Sequence, residues 1–117
     1  MTAKEIYDQL GESYDEVLGR LAKDERIVKY LNMFIEQDTC TEMLKALEAN
    51  DYQEAFRMIH SLKGMSLNMG FSSYLIDCEV LCESLRNGMP DHNIDAEVKK
   101  VQDGYEKIKS TIIQLNA

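Results

Sequence analysis

Residues 94–115, IDAEVKKVQDGYEKIKSTIIQL, decide the fold class. The apolar residues of this segment recur at alternating spacings of four and three, which places them in one stripe along a long α-helix. Lys99, Lys100 and Lys107 fall outside the stripe and are left to solvent. The stripe consists of Ile94, Val98, Val101, Tyr105, Ile108, Ile112 and Leu115.

Two segments before it show the same helical period. Residues 71–85 carry a second apolar stripe. Asn87–Pro90 is expected to end that helix, because its glycine suits the left-handed cap conformation and its proline cannot continue a helix. Asp51, with Glu54 three residues later, resembles a capping box. We therefore expect another helix from about Asp51 to Met69.

The first half of the chain contributes further helices. Asp24 is expected to cap a helical segment that reaches Leu47, and the poor helix formers at 38–41 indicate a bend in its middle. Residues 1–21 carry short apolar clusters, which predict one or two short helices that cover an end of the bundle. No segment alternates with period two for long. The predicted fold class is all-α, an antiparallel four-helix bundle with one or two short N-terminal capping helices.

Length and charge limit the possible functions. The 117 residues correspond to a single domain over 1–117, and the opening Met1 and the ending at Ala117 suggest an independent protein. Asp and Glu number 21 against 13 Lys and Arg, and the net charge of −8 argues against nucleic acid and anionic lipid as partners. No apolar run approaches the roughly 18 residues that span a bilayer, and a secretory signal pattern is missing. Three cysteines make no disulfide framework, so we expect a cytoplasmic protein. We also expect a monomer.

His60 lies at the edge of the core-facing arc of the 51–69 helix. At about 100° per residue, Lys63 and Gly64 follow on the same side, one turn further along. A glycine inside a helix costs about 1 kcal/mol of helix stability relative to alanine, so the presence of Gly64 requires an explanation. Without a side chain there, the imidazole is exposed and another molecule can approach it closely. The arc itself comprises Tyr52, Ala55, Ile59, Leu62, Ser66 and Met69.

Together these residues predict a nucleophilic site. A neutral imidazole is a competent nucleophile at cellular pH, and the charge of Lys63 can meet anionic oxygens placed on it. The arrangement therefore predicts a helix-borne histidine that accepts an anionic group, with phosphoryl as the obvious candidate. A structural alternative stays open, in which His60 is an ordinary surface residue and Gly64 permits tight helix packing. His92, in the loop before the last helix, is expected to be a solvated residue.

The stretch H-S-L-K-G-M-S-L-N-M-G, residues 60–70, resembles the signature of histidine-containing phosphotransfer (HPt) domains. In that family a His-x-x-Lys-Gly core precedes a second glycine where the helix turns. Weaker similarity extends over A-F-R-M-I-H before it and over the helix that follows. The resemblance implies a four-helix bundle without kinase activity of its own. Such a domain accepts a phosphoryl group from a receiver-domain aspartate, or by a histidine kinase route, and passes it to a response-regulator receiver.

On the matching positions, the resemblance assigns a role to each residue of the motif. His60 would be the phosphorylated residue, Lys63 would neutralise phosphoryl charge, and Gly64 would provide clearance. Gly70 would end the helix. No cofactor is expected on this chain, because the receiver brings the Mg²⁺. Many members carry a glutamine on the next helix, and by spacing this sequence has Cys82 there.

The expected partners are a response-regulator receiver, a hybrid histidine kinase, or both. Phe56 and Leu67 flank His60 on the helical wheel and are the candidate apolar contacts for a receiver helix. Ordinary packing at the edge of the core explains the two side chains equally well.

Three other interpretations stay open. Cys78 and Cys82 share a helix face and could bind zinc, but two ligands do not close a metal site, so no metal is expected. The bundle could bind a partner through its acidic surface without phosphotransfer. It could also be the phosphorylatable domain of a chemotaxis-type kinase. The sequence does not identify the donor, the acceptor or the direction of transfer.

Overall fold

The computed structural model describes residues 1–116, and Ala117, the last residue of the expected domain, lies outside this range. Within it the chain forms helices and no strand, which confirms the predicted all-α bundle with N-terminal capping helices. None of these helices is long and apolar enough to cross a membrane. The helices are α1 Ala3–Leu10, α2 Tyr14–Leu21, α3 Asp24–Gln37, α4 Thr39–Glu48, α5 Tyr52–Asn68, α6 Ser72–Leu85 and α7 Asp95–Ile113, followed by a 3₁₀ turn Gln114–Asn116.

Helix α5 is the central element of the bundle. It packs against α4 on one side and α6 on the other, and α6 in turn packs against α7. The turns from α4 to α5 and from α5 to α6 are short, so these neighbours run antiparallel. The core-facing arc of α5 is confirmed, because five of its six predicted residues are buried and Tyr52 is half-buried.

The predicted bend in the 24–47 segment is a break between two helices. Asp38 adopts a left-handed conformation, with φ 45°, and separates α3 from α4. The prediction that Asp24 caps this segment is wrong. Lys23 occupies the cap position without a side-chain bond, and Asp24 instead accepts a hydrogen bond of 2.6 Å from the Tyr14 hydroxyl. The sequence pattern assigned the Asp24 carboxylate to the helix end. It instead binds the hydroxyl of Tyr14 in α2.

The capping box predicted at the start of α5 is only half formed. The Asp51 carboxylate accepts from the backbone N–H of Glu54 at 3.2 Å, as expected. The Glu54 carboxylate accepts no hydrogen bond from the backbone N–H of Asp51, because it pairs with Arg57 at 3.0 Å. The backbone N–H of Asp51 donates to the carbonyl of Ala46 instead. The helix still begins where the pattern placed it.

The N-terminal helices close the C-terminal end of α5. Carbonyl groups at a helix end have no partner within the helix. Arg20 of α2 donates to the carbonyls of Leu67 and Asn68, at 3.2 and 3.0 Å, and the Tyr7 hydroxyl of α1 donates to the carbonyl of Met69 at 2.6 Å. Gly70 follows in the left-handed conformation, with φ 71°. The end of the helix that carries His60 is thus fixed by residues far away in sequence.

Close contact between α6 and α7 depends on Gly104. A Cβ atom at this position would lie 2.6 Å from the ring of Tyr74. That ring is buried, and its hydroxyl donates to the carbonyl of Val101 at 2.9 Å, so it has little freedom to move. A side chain on α7 at this point would push the two helices apart.

We therefore expect Gly104→Ala to lower the free energy of unfolding by about 1 kcal/mol. Overpacking in a core costs about 1–3 kcal/mol, and the better helix propensity of alanine returns about 1 kcal/mol or less. Chemical denaturation measures the change. Gly19→Ala is the matched control, because Gly19 is an exposed helical glycine and no heavy atom lies within 4 Å of the place where its Cβ would be. The control should gain stability, and equal gains for both variants would contradict the packing argument.

Candidate functional site

His60 lies on the outer side of α5 with its side chain exposed to solvent. The buried residues Ile59 and Leu62 hold the helix against the core on either side of it in sequence. The imidazole forms no hydrogen bond or ion pair with the described residues. A ring that is exposed and unbonded keeps its nitrogen lone pair available for an incoming electrophile.

Gly64 lies one turn beyond His60. Apart from its chain neighbours and the backbone of its own helix, no heavy atom approaches within 4 Å of the place where its Cβ would be. The alternative that Gly64 permits tight packing between helices of this chain is therefore wrong. A glycine at this helical position nevertheless costs about 1 kcal/mol of helix stability relative to alanine. What the missing side chain provides is open surface beside the imidazole.

Phe56 lies one turn before His60 and packs on its ring. The two ring centroids are 5.9 Å apart, and the planes differ by 29°. The phenylalanine is half-buried and also packs against the edge of the core. This stacking holds one side of an otherwise unsupported imidazole.

Arg86 is a residue that the sequence analysis missed. It follows the last residue of α6, and its guanidinium carbon lies 5.7 Å from the centroid of the Phe56 ring, within range of a cation–π contact. Its Nε donates to a Glu83 carboxylate oxygen at 2.9 Å. The signal was available in the sequence, because Arg86 lies one helical turn after Cys82, the position at which many family members carry a glutamine.

Two cations influence the Cys82 thiol. Burial raises the pKa of the Cys82 thiol, and the positive charges of Lys63 and Arg86 act in the opposite direction. Lys63 is half-buried on α5, one turn from His60, while Cys82 is almost fully buried. The cysteine therefore stays beneath the surface, and Lys63 places a positive charge one helical turn from the imidazole.

The comparison with family models agrees with this geometry. The Hpt domain model matches residues 29–115 of the 117. This chain belongs to the Hpt domain family. Membership implies a phosphotransfer role in two-component signalling, where Hpt domains interact with receiver domains and histidine kinases and are not themselves kinases. No match to a solved structure was found.

An apolar groove lies beside the C-terminal turns of α5 in this Hpt domain. Its volume is about 360 Å³, and it lies between α5 and the α2–α3 region. Leu67, two turns beyond His60, is 59% exposed next to Asn68 at the groove's edge. The apolar residues lining the groove are Leu21, Tyr30, Met33, Phe34, Met65 and Met69.

The second histidine has a different environment. His92 Nδ1 lies 2.8 Å from an Asp91 carboxylate oxygen, and its Nε2 lies 2.7 Å from a Glu97 carboxylate oxygen. Ser84 donates to the other oxygen of Glu97. Hydrogen bonds to Asp91 and then to Glu97 raise the pKa of His92. Both ring nitrogens are engaged by carboxylates, which would also repel a phosphoryl group.

Cys78 and Cys82 have no third candidate metal ligand grouped with them in the part of the chain that the structure describes. Cys78 and Cys82 are both buried, and residues 1–116 contain no group of three or more His, Cys, Asp or Glu placed to hold a metal ion. Burial raises the pKa of Cys78 to about 12, so its thiol stays protonated. The two residues pack as core side chains.

The raised pKa of His92 predicts a pH-dependent contribution to stability. The charged form is favoured in the folded state, so the contribution is complete below the unfolded pKa of about 6.5 and is lost as pH rises through the higher folded pKa. In thermal melts, wild type should exceed His92→Gln in melting temperature most at about pH 6, and the difference should shrink towards about pH 8. A difference that grows with pH would contradict this assignment.

Proposed function

We propose that this Hpt domain is a phosphorelay intermediate that carries the phosphoryl group on His60. It accepts the group from a receiver-domain aspartate, or by a histidine kinase route, and passes it to a response-regulator receiver. The observation that supports the proposal most strongly is the exposed, unbonded imidazole beside the open surface of Gly64. An inert bundle has no need of a helix-interior glycine at that point.

The chemistry requires little from this chain beyond the nucleophile. A lone pair on an imidazole nitrogen of His60 attacks phosphorus, the P–O bond to the donor aspartate breaks, and its electron pair returns to the carboxylate. Phosphoryl transfer is catalysed mainly by positioning and charge neutralisation. The receiver supplies its own Mg²⁺, and Lys63 neutralises part of the charge on the transferring oxygens. Transfer to the next receiver is the same step in reverse.

The receiver docks on the face of α5 that carries His60. Leu67 offers exposed apolar surface there, and the groove beside it can receive an apolar side chain of the partner. Phe56 contributes through its exposed portion, while its stacking on His60 fixes the ring. We further propose that the domain acts as a monomer in the cytoplasm, with no nucleic acid or membrane among its partners.

The test is transfer of labelled phosphoryl from a phosphorylated receiver domain. We expect acid-labile, base-stable label on the wild-type protein and none on His60→Gln. His92→Gln is the matched control, because it removes the other histidine, and it should be labelled like wild type. Label on His60→Gln would show that another residue accepts the group. Failure of transfer from every receiver tested would favour a bundle that only binds its partner.

The Gly64→Leu variant distinguishes an effect on partner access to His60 from an effect on folding stability. Leucine improves helix propensity by about 0.8 kcal/mol, and the site is open, so the variant should be at least as stable as wild type. Transfer from a receiver should nevertheless fall about tenfold or more, because a leucine beside His60 blocks the approach of a protein partner. Gly19→Leu, at another exposed helical glycine, should transfer normally. Equal transfer rates in Gly64→Leu and wild type would remove the clearance argument.

A further inference from the structure

A second cleft lies between the end of α4 and the segment that leads into α7. Its volume is about 650 Å³, large enough for several side chains of a ligand. The last turn of α4 and the start of α5 form one wall, and residues 89–98 form the other. Tyr52, the α5 residue in the lining, precedes His60 by eight residues, a rise of about 12 Å along the helix. The cleft is therefore separate from the surface at His60.

The floor of this cleft is apolar. Five of its side chains are half-buried, so they pack on the core and still leave part of their surface to the cleft. Met89, which also lines the cleft, is 77% exposed, and its flexible thioether can adapt to an apolar ligand. A contiguous apolar surface of this kind is typical of an interaction site. The five half-buried residues are Leu44, Leu47, Tyr52, Ile94 and Val98.

The charged groups of the lining favour a cation. Glu48 and Asp95 are exposed carboxylates on the two walls, and none of the described lining residues is Lys or Arg. His92 also lines the cleft, but it is bonded to Asp91 and Glu97, so these carboxylates balance its positive charge. Glu48 ends α4, where the helix dipole favours positive groups as well.

The wall formed by residues 89–98 is fixed without any ligand. His92 Nε2 lies 2.7 Å from a Glu97 carboxylate oxygen, which ties the loop to the first turns of α7. The side-chain oxygen of Asn93 accepts from the backbone N–H of Asp95 at 2.8 Å. A cleft whose wall is already ordered costs a ligand less free energy to occupy.

We propose that this cleft is a docking site for a short segment of a partner protein in which leucine-like side chains lie next to arginine or lysine. The apolar side chains occupy the floor, and the basic ones lie against Glu48 and Asp95. A second copy of this chain fits less well, because each copy carries a net charge of −8. The docking needs no phosphoryl group on His60 and is independent of the proposed function.

The experiment titrates a fluorescein-labelled peptide, Gly-Arg-Leu-Arg-Leu-Arg-Gly, into the unphosphorylated protein and measures its anisotropy. Two control peptides replace the leucines by serine or the arginines by glutamate. The Kd of the first peptide should be lower by about tenfold or more than that of either control. In two-dimensional NMR, the methyl signals of Ile94 and Val98 should shift, and those of Ile76 and Val80, which are exposed on α6, should stay in place.

A charge reversal tests the carboxylate at the end of α4. Glu48→Lys should raise the Kd of the leucine–arginine peptide about fivefold or more, because an attraction becomes a repulsion. A lysine at the C-terminal end of a helix is compatible with folding. Glu36→Lys is the matched control, because Glu36 is exposed near the end of α3 and lies outside the cleft lining. It makes the same change in net charge and should alter the Kd less than about twofold.

A second pair of variants tests the apolar contact. Met89→Ser should raise the Kd about threefold, because apolar surface is lost from the lining. Ile76→Ser removes an exposed apolar side chain elsewhere and should leave the Kd at the wild-type value. Both side chains are more than half exposed, so neither variant opens a cavity in the core.

Equal affinity for the serine peptide would show attraction by net charge alone, and equal effects of Glu48→Lys and Glu36→Lys would place the peptide elsewhere. Either result would overturn the proposal. So would a dimer in sedimentation that Met89→Ser dissociates, since a second copy would then fill the cleft. His60→Gln should bind the peptide like wild type, so failure of docking and failure of phosphotransfer are measured separately.

Discussion

The packing of α5 between α4 and α6 is the constraint on which the site depends. One arc of the helix is fixed in the core by Ile59, Leu62 and their neighbours, so the helical repeat decides which side chains face outward. His60 is one position after a buried isoleucine and therefore cannot turn inward without exposing the core. The imidazole is held at the surface by the burial of the residues around it rather than by a bond of its own.

Support for the site comes from outside its own helix. The N-terminal helices bind the last carbonyls of α5 through Arg20 and Tyr7. Both helices precede residues 29–115, which match the family model. At the other end of the surface, α6 brings Arg86 towards the imidazole through Phe56. A fixed helix end and an exposed cation suit His60, whose imidazole must be accessible to different partner proteins.

Much of this arrangement could be predicted from the sequence. Apolar periodicity identified the core face of α5, and the cost of a helical glycine singled out Gly64, because both follow from local geometry. The failures involve side chains that choose between partners. Asp24 binds Tyr14, Glu54 binds Arg57, and Arg86 lies over Phe56. Periodicity specifies a face, whereas it does not say which of several available partners a charged side chain takes once the helices have packed.

The most direct test of the account compares the two imidazoles within one sample. Two-dimensional NMR of both histidine rings, recorded while a phosphorylated receiver is present, reports where the phosphoryl group forms its bond to nitrogen. The account predicts that the ring signals of His60 move to new positions and that those of His92 stay where they were. Unchanged His60 signals, with phosphoryl on His92 or on neither ring, would contradict it.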